Sequence, residues 1–194
     1  MKLCFDVDNV LCNTTECVLD YINKWLAGTD LKIEDLKSYW IEDTLPERYK
    51  WVVPLAFQQS EMWKNVKMID GAAAAIEKLY NDGYEVYFAT ATTAENFRKK
   101  LSFLERNLPF FPKGYIKQNS ISIKKKQLLD VDILVDDFLD NLTGRRRYIS
   151  LCYDYPWNRD YKENGDTFIR VYNWDDIYKE IVRIAKWKDF KGRN

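Results

Sequence analysis

Apolar and polar positions along the chain follow two periods, and the first change between them comes early. Leu3 to Val7 is a short apolar run that ends in acidic residues, the pattern of a buried parallel strand whose carboxyl end opens into a crevice. From Thr14 and Thr15, which suit helix caps, Val18, Leu19, Ile22, Trp25 and Leu26 recur at helical spacing until Gly28 offers a stop. Residues 30 to 67 are polar and aromatic, with Trp40, Trp51, Phe57 and Trp63 among many charges and Pro46 and Pro54 breaking any long helix; this predicts a small helical lid. An alanine-rich helix follows Asp70-Gly71 to about Asn81, then a turn at Asp82-Gly83 and a strand from Tyr84 to Ala89. A helix over 94–107, a proline-bounded loop from Pro109 to Pro112 and a strand around Tyr115 and Ile116 repeat the alternation. Ile133 to Val135, Tyr148 to Leu151 and Thr167 to Val171 add strands before a closing helix from Trp174. Such alternation predicts an α/β fold, a Rossmann-like parallel sheet flanked by helices. A chain of 194 residues suits one core with an insertion, here residues 15–67 set into a core of 1–14 and 68–194.

Two of these strands end in paired carboxylates. Asp6 and Asp8 stand two residues apart at the end of the first, and period two puts them on one side until the backbone turns. A lone pair of this kind is weak, but Ile133-Leu134-Val135-Asp136-Asp137 repeats the design. In an open parallel sheet ligands bind outside the carboxyl ends of the strands, and acids gathered there repel one another unless a cation is bound or their pKa values rise. Oxygen-only ligands favour magnesium. Thr90, directly after an apolar strand, and one lysine of the run Lys124-Lys125-Lys126 complete a phosphate site; the other two lysines fit a solvated face.

Composition narrows the chemistry further. The chain has no histidine, which removes the usual neutral-pH base and every Ser-His-Asp or Cys-His arrangement. A cysteine-dependent phosphatase loop needs an arginine six positions after its nucleophile, yet Val18 follows Cys12 and Asn23 follows Cys17 at that spacing. Without histidine, Cys4, Cys12, Cys17 and Cys152 make no zinc site and read as reduced, buried thiols. Thirty basic and thirty acidic residues cancel, so no long-range field draws a nucleic-acid polymer or an anionic membrane, and the expected partner is a small molecule. Asp6 interrupts any amino-terminal signal, and no segment is long and apolar enough to span a bilayer, so a cytoplasmic protein is expected.

The order DxD, Thr, Lys, DD resembles the haloacid dehalogenase superfamily of phosphotransferases. Within it the chain is similar to the 5'(3')-deoxyribonucleotidases through Phe5-Asp6-Val7-Asp8-Asn9-Val10-Leu11, Ala89-Thr90-Ala91, Lys126 before Ile-Leu-Val-Asp-Asp, and Tyr155-Pro156-Trp157-Asn158-Arg159. The resemblance implies a Mg2+-dependent phosphomonoester hydrolase acting on deoxynucleoside monophosphates through an aspartyl-phosphate intermediate. It makes Asp6 the nucleophile and Asp8 the general acid and base, with Asp6, Asp8 (its carbonyl) and Asp137 on the metal and Asp136 behind them. It gives Thr90, the Ala91 amide and Lys126 to the phosphate, and Trp63, near the end of the insertion, to the base. Asn9 stands where these enzymes usually have glycine, and Ala91 where serine is common. A sugar-phosphate phosphatase of the same superfamily is the alternative. A receiver-like phosphoacceptor is separated by chain order, since receivers place the acidic pair first and the lysine last.

Overall fold

The computed structural model describes residues 1–161 and 168–191. Six strands form one parallel sheet: β1 (Lys2–Asp6), β2 (Glu85–Thr90), β3 (Ser120–Ser122), β4 (Ile133–Asp136), β5 (Ile149–Tyr153) and β6 (Ile169–Val171), in the spatial order β3-β2-β1-β4-β5-β6. β1 lies at the centre, and Leu3, Cys4 and Phe5 are buried because helices cover both faces. The chain runs outward from β1 to β2 and β3 on one side, then to β4, β5 and β6 on the other. The reversal between β1 and β4 is where such sheets open a crevice. Asp6 and Asp136, the last residues of these two strands, stand at that opening.

Between β1 and β2 the chain makes α1 (Thr14–Trp25), three short 3₁₀ turns, α2 (Val52–Gln58) and α3 (Ser60–Asn65), then α4 (Ala72–Asn81). Pro54 falls in the first turn of α2, where its missing NH costs nothing. The two ends of the 14–66 stretch are tied together. Lys67 N donates to Asn13 Oδ1 at 2.8 Å, Asn13 N to Lys67 O at 3.2 Å, and Ile69 N to Leu11 O at 2.9 Å. Beyond β2 come α5 (Ala94–Asn107), α6 (Tyr115–Gln118), α7 (Leu139–Leu142) and α8 (Trp174–Lys191). Trp174 anchors α8 to the loop after Asp8: its indole NH donates to Val10 O at 3.0 Å, and its ring lies 5.3 Å from that of Phe5. Gly71, in the left-handed region, passes so close that an added Cβ would lie 3.2 Å from Trp174 Cβ.

Three expectations need correction or delimiting. Tyr115 and Ile116 open α6 rather than a strand, and β3 follows them. Gly114, at φ +86°, turns the chain into the helix, and the Tyr115 ring stacks on Phe111 while its hydroxyl bridges Val86 N and O at 3.2 and 3.0 Å. Thr14 does not cap α1; Asn13 holds that position and the Thr14 hydroxyl is used elsewhere. Thr167 lies outside the described residues, and β6 begins at Ile169. All four cysteines are free and buried, as expected. Among the described residues no helix is long and apolar enough to cross a membrane.

Candidate active site

The carboxyl ends of β1 and β4 bring together Asp6, Asp136 and Asp137, which offer oxygens within 4.8 Å of one another. Lys126, on a 3₁₀ turn before β4 and 1% exposed, reaches between two of them, 2.7 Å from Asp6 Oδ1 and 2.7 Å from Asp136 Oδ2. Burial alone would drive its ammonium toward neutrality, but Asp136 and Asp6 outweigh that and hold its pKa above the ordinary lysine value. The cost of burying this cluster falls on the acids. Burial, opposed by Lys126 and reinforced by Asp136 and Asp8, pushes the Asp6 carboxyl up to about 7. Burial and the negative neighbours Asp136 and Asp6 raise Asp137 well above its ordinary value.

The two oxygens of Asp137 differ. Oδ2 accepts from Asn9 Nδ2 at 3.0 Å, whereas Oδ1 is buried with no hydrogen-bond partner among the described residues. An orphaned anionic oxygen is expensive unless something positive meets it. In the clustered carboxylate of Asp6, Oδ1 is taken by Lys126 and by Val7 N at 2.8 Å. Asp136 spends both oxygens on protein, Oδ1 on Phe138 N at 2.9 Å and Oδ2 on Lys126 and Asn141, which places it behind the metal position. The donor set is all oxygen and fits a hard divalent cation held by Asp6 and Asp137. Behind Asp137 the chain is fixed by Asn158, fully buried, whose Nδ2 donates to Asp137 O at 2.9 Å.

Asp8 faces the other way, into a cavity of about 760 Å³. Thr14 donates to its Oδ1 at 2.7 Å, and Lys100, 2% exposed, forms an ion pair with Oδ2 while donating to Thr90 Oγ1 at 2.7 Å. Burial works against ionisation here too, but the Lys100 ammonium and the Thr14 hydroxyl prevail and hold the Asp8 carboxyl below its usual range. Thr90 closes β2, and Ala91 to Ala94 line the cavity at the start of α5.

The structure thus clusters Asp6, Asp136, Asp137 and Lys126 at the ends of β1 and β4, and sets Asp8, Thr90 and Ala91 together at the cavity beside them. It places Trp63 apart. The Trp63 indole NH donates to Phe57 O at 2.8 Å and its ring faces the Lys99 ammonium at 5.9 Å, in a second, smaller cavity with Lys64, Arg98 and Arg106. The aromatic side chains that line the cavity at Asp8 are Tyr39, Trp40 and Phe57, supplied by the polar stretch before and within α2. Tyr39 packs on Phe138 with ring centroids 4.0 Å apart. Burial and the neighbouring acids Asp137, Asp6, Asp8 and Asp136 keep its hydroxyl protonated. Lys100 is the other functional side chain that motif reading passed over.

This arrangement matches a known family over nearly its whole length: residues 1–187 fit the model of the 5' nucleotidase, deoxy (pyrimidine), cytosolic type C proteins. The chain belongs to that family. A 5'(3')-deoxyribonucleotidase of Bacillus subtilis is 27% identical over 186 residues, covering 93% of this chain and 98% of its own. Among solved structures, a haloacid dehalogenase-like protein of unknown function from Agrobacterium tumefaciens superposes with a TM-score of 0.61 at 15% identity, covering 95% of this chain and 98% of that one. A haloacid dehalogenase family hydrolase from Deinococcus radiodurans, solved with phosphate and sodium, gives 0.56 at 14% identity, covering 89% and 90%. The nucleotidase is therefore a phosphatase on a haloacid dehalogenase fold, with a small-molecule nucleotide as substrate.

Proposed function

We propose that the protein is a Mg2+-dependent 5'(3')-deoxyribonucleotidase that hydrolyses deoxynucleoside monophosphates through an aspartyl phosphate on Asp6. The observation that carries this is the orphaned Oδ1 of Asp137, whose carboxylate clusters with those of Asp6 and Asp136 close to a cavity with aromatic walls. The similarity to the Bacillus subtilis enzyme supports the substrate class. A magnesium ion held by Asp6, the Asp8 carbonyl and Asp137 supplies charge neutralisation at the phosphate.

The chain's own groups do the rest. An Asp6 oxygen attacks phosphorus as the P–O bond to the sugar breaks, and Asp8 gives its proton to the departing alkoxide. Water then attacks the phosphoaspartate, Asp8 takes the water proton, and the bond from phosphorus to Asp6 breaks to release phosphate. Asp8 can serve both steps because its counter-ion has a second partner. Lys100 already bonds Thr90 as well as Asp8, and a phosphate that takes up Lys100 leaves Asp8 freer to hold a proton. Lys126, Thr90 and the Ala91 amide stabilise the charge on the transferred group. A ring from Tyr39 or Trp40 faces the base, in the role first expected of Trp63.

Incubation with dUMP, dTMP, ribonucleotides and sugar phosphates, with phosphate release measured in Mg2+ and in EDTA, tests this reading. Activity on deoxynucleotides that EDTA removes and Mg2+ restores is expected, and Asp6→Asn should abolish it in folded protein. Full turnover in chelated buffer, or a preference for sugar phosphates, would overturn it.

A further inference from the structure

Asn9 is the sole residue other than glycine with positive φ among the described residues, at +58°. A turn alone would not require this side chain, since glycine makes the same turn without strain. The side chain is nevertheless 4% exposed and spent at both ends. Its Oδ1 accepts from Thr15 N at 3.1 Å, in the first turn of α1, and its Nδ2 donates to Asp137 Oδ2 at 3.0 Å. The orientation of the amide follows from its partners, because a backbone NH needs the oxygen and a carboxylate needs the NH2. With Oδ2 of Asp137 so engaged, Oδ1 is the oxygen left without a protein partner among the described residues. The neighbouring Thr14 holds Asp8 at 2.7 Å, so consecutive residues of the first turn of α1 hold Asp8 directly and Asp137 by way of Asn9.

We infer that Asn9 is a positioning residue, which fixes the metal-facing oxygen of Asp137 and links it to the first turn of α1. Outer groups that orient ligands act on metal affinity more than on the fold. The inference rests on the proposed Mg2+ site, and its test separates the two. In the full chain, Asn9→Gly keeps the turn and removes both side-chain bonds. Asn9→Asp keeps the acceptor for Thr15 N and tolerance of positive φ, and sets a like charge where the donor to Asp137 was.

Mg2+ affinity by titration calorimetry, the melting temperature in EDTA, and kcat and KM at low and saturating Mg2+ are the readouts. Wild type should bind Mg2+, and both variants should bind it roughly 10- to 100-fold more weakly. Asn9→Gly should also melt near wild type in EDTA and recover kcat at saturating Mg2+. Variants that bind Mg2+ within about twofold of wild type would overturn the role of Asn9 and leave the metal site standing. A wild type that binds no Mg2+ would overturn both. If Asn9→Gly fails to fold, Asn9→Ser, which removes the donor to Asp137 without adding a charge, decides in its place.

Discussion

Lys126 sits between two carboxylates at 2.7 Å each, while Lys124 and Lys125, its neighbours in the same run, are exposed. Lys126→Ala leaves Asp6 and Asp136 facing each other without a cation, a change that costs roughly 3–5 kcal/mol where a buried pair is broken. Lys126→Ala should therefore lower the melting temperature and cut kcat by roughly 10²-fold or more. Lys124→Ala and Lys125→Ala should resemble wild type in phosphate release and thermal unfolding, and equal small effects of all three would contradict the assignment. This residue was legible in the sequence because it precedes an apolar strand that ends in two acids, a local signature. Lys100 was not, because it follows Lys99 on a helix and reads as one more charge on a solvated face. What distinguishes them is that α5 turns Lys100 toward the end of β2 and Asp8, a relation between segments 92 residues apart.

At the scale of elements, β1, β2, β4, β5, α4, α5 and α8 follow from periodicity and turn residues, since each carries an apolar stripe or run, whereas β3, with Ser120 and Ser122 around Ile121, carries none. The stretch from 30 to 67 does not, because its short 3₁₀ turns and two-turn helices are too brief to show a period. Trp40, Trp51, Phe57 and Trp63 are equivalent there until the chain is folded. Once it is, Trp40 lines the cavity at Asp8 and meets Tyr39 edge-on at 5.2 Å, whereas Trp63 turns toward Lys99 and bonds Phe57 O. Base stacking contributes roughly 1–3 kcal/mol, so Trp40→Ala should raise KM for dUMP or dTMP by about tenfold. Trp63→Ala should leave it near wild type, and neither should affect a small aryl phosphate much. A larger effect from Trp63 in steady-state kinetics would return base recognition to that residue.

Across the whole molecule the first and last elements are joined at Asp132. Lys2 N donates to Asp132 Oδ2 at 2.7 Å and Lys188, on α8, meets Oδ1. Burial opposes ionisation, but Lys188 and the Lys2 amide hold the Asp132 carboxyl below its unfolded value of 3.8. A depressed carboxyl contributes stability that is present above the unfolded pKa and lost as pH falls through the folded one. The contact is half-exposed and is worth roughly 0.2–1 kcal/mol, or about 1–4 °C in a chain of this size. Wild type should outlast Asp132→Asn by that margin at pH 7 and lose the margin toward pH 3 in thermal melts; an undiminished gap would disprove the linkage. The joined ends enclose a chain whose formal charges sum to zero, with 30 on each side. Counted formally as ionised, three carboxylates and one ammonium at the buried cluster carry two negative charges, and the remainder of the chain two positive ones. A divalent ion restores parity at the centre and leaves the loaded protein formally +2, equal and opposite to a phosphomonoester dianion. On the proposed function, substrate and metal-loaded protein meet as a formally charge-matched pair, and the hydrolysed phosphate departs from a partner of opposite sign.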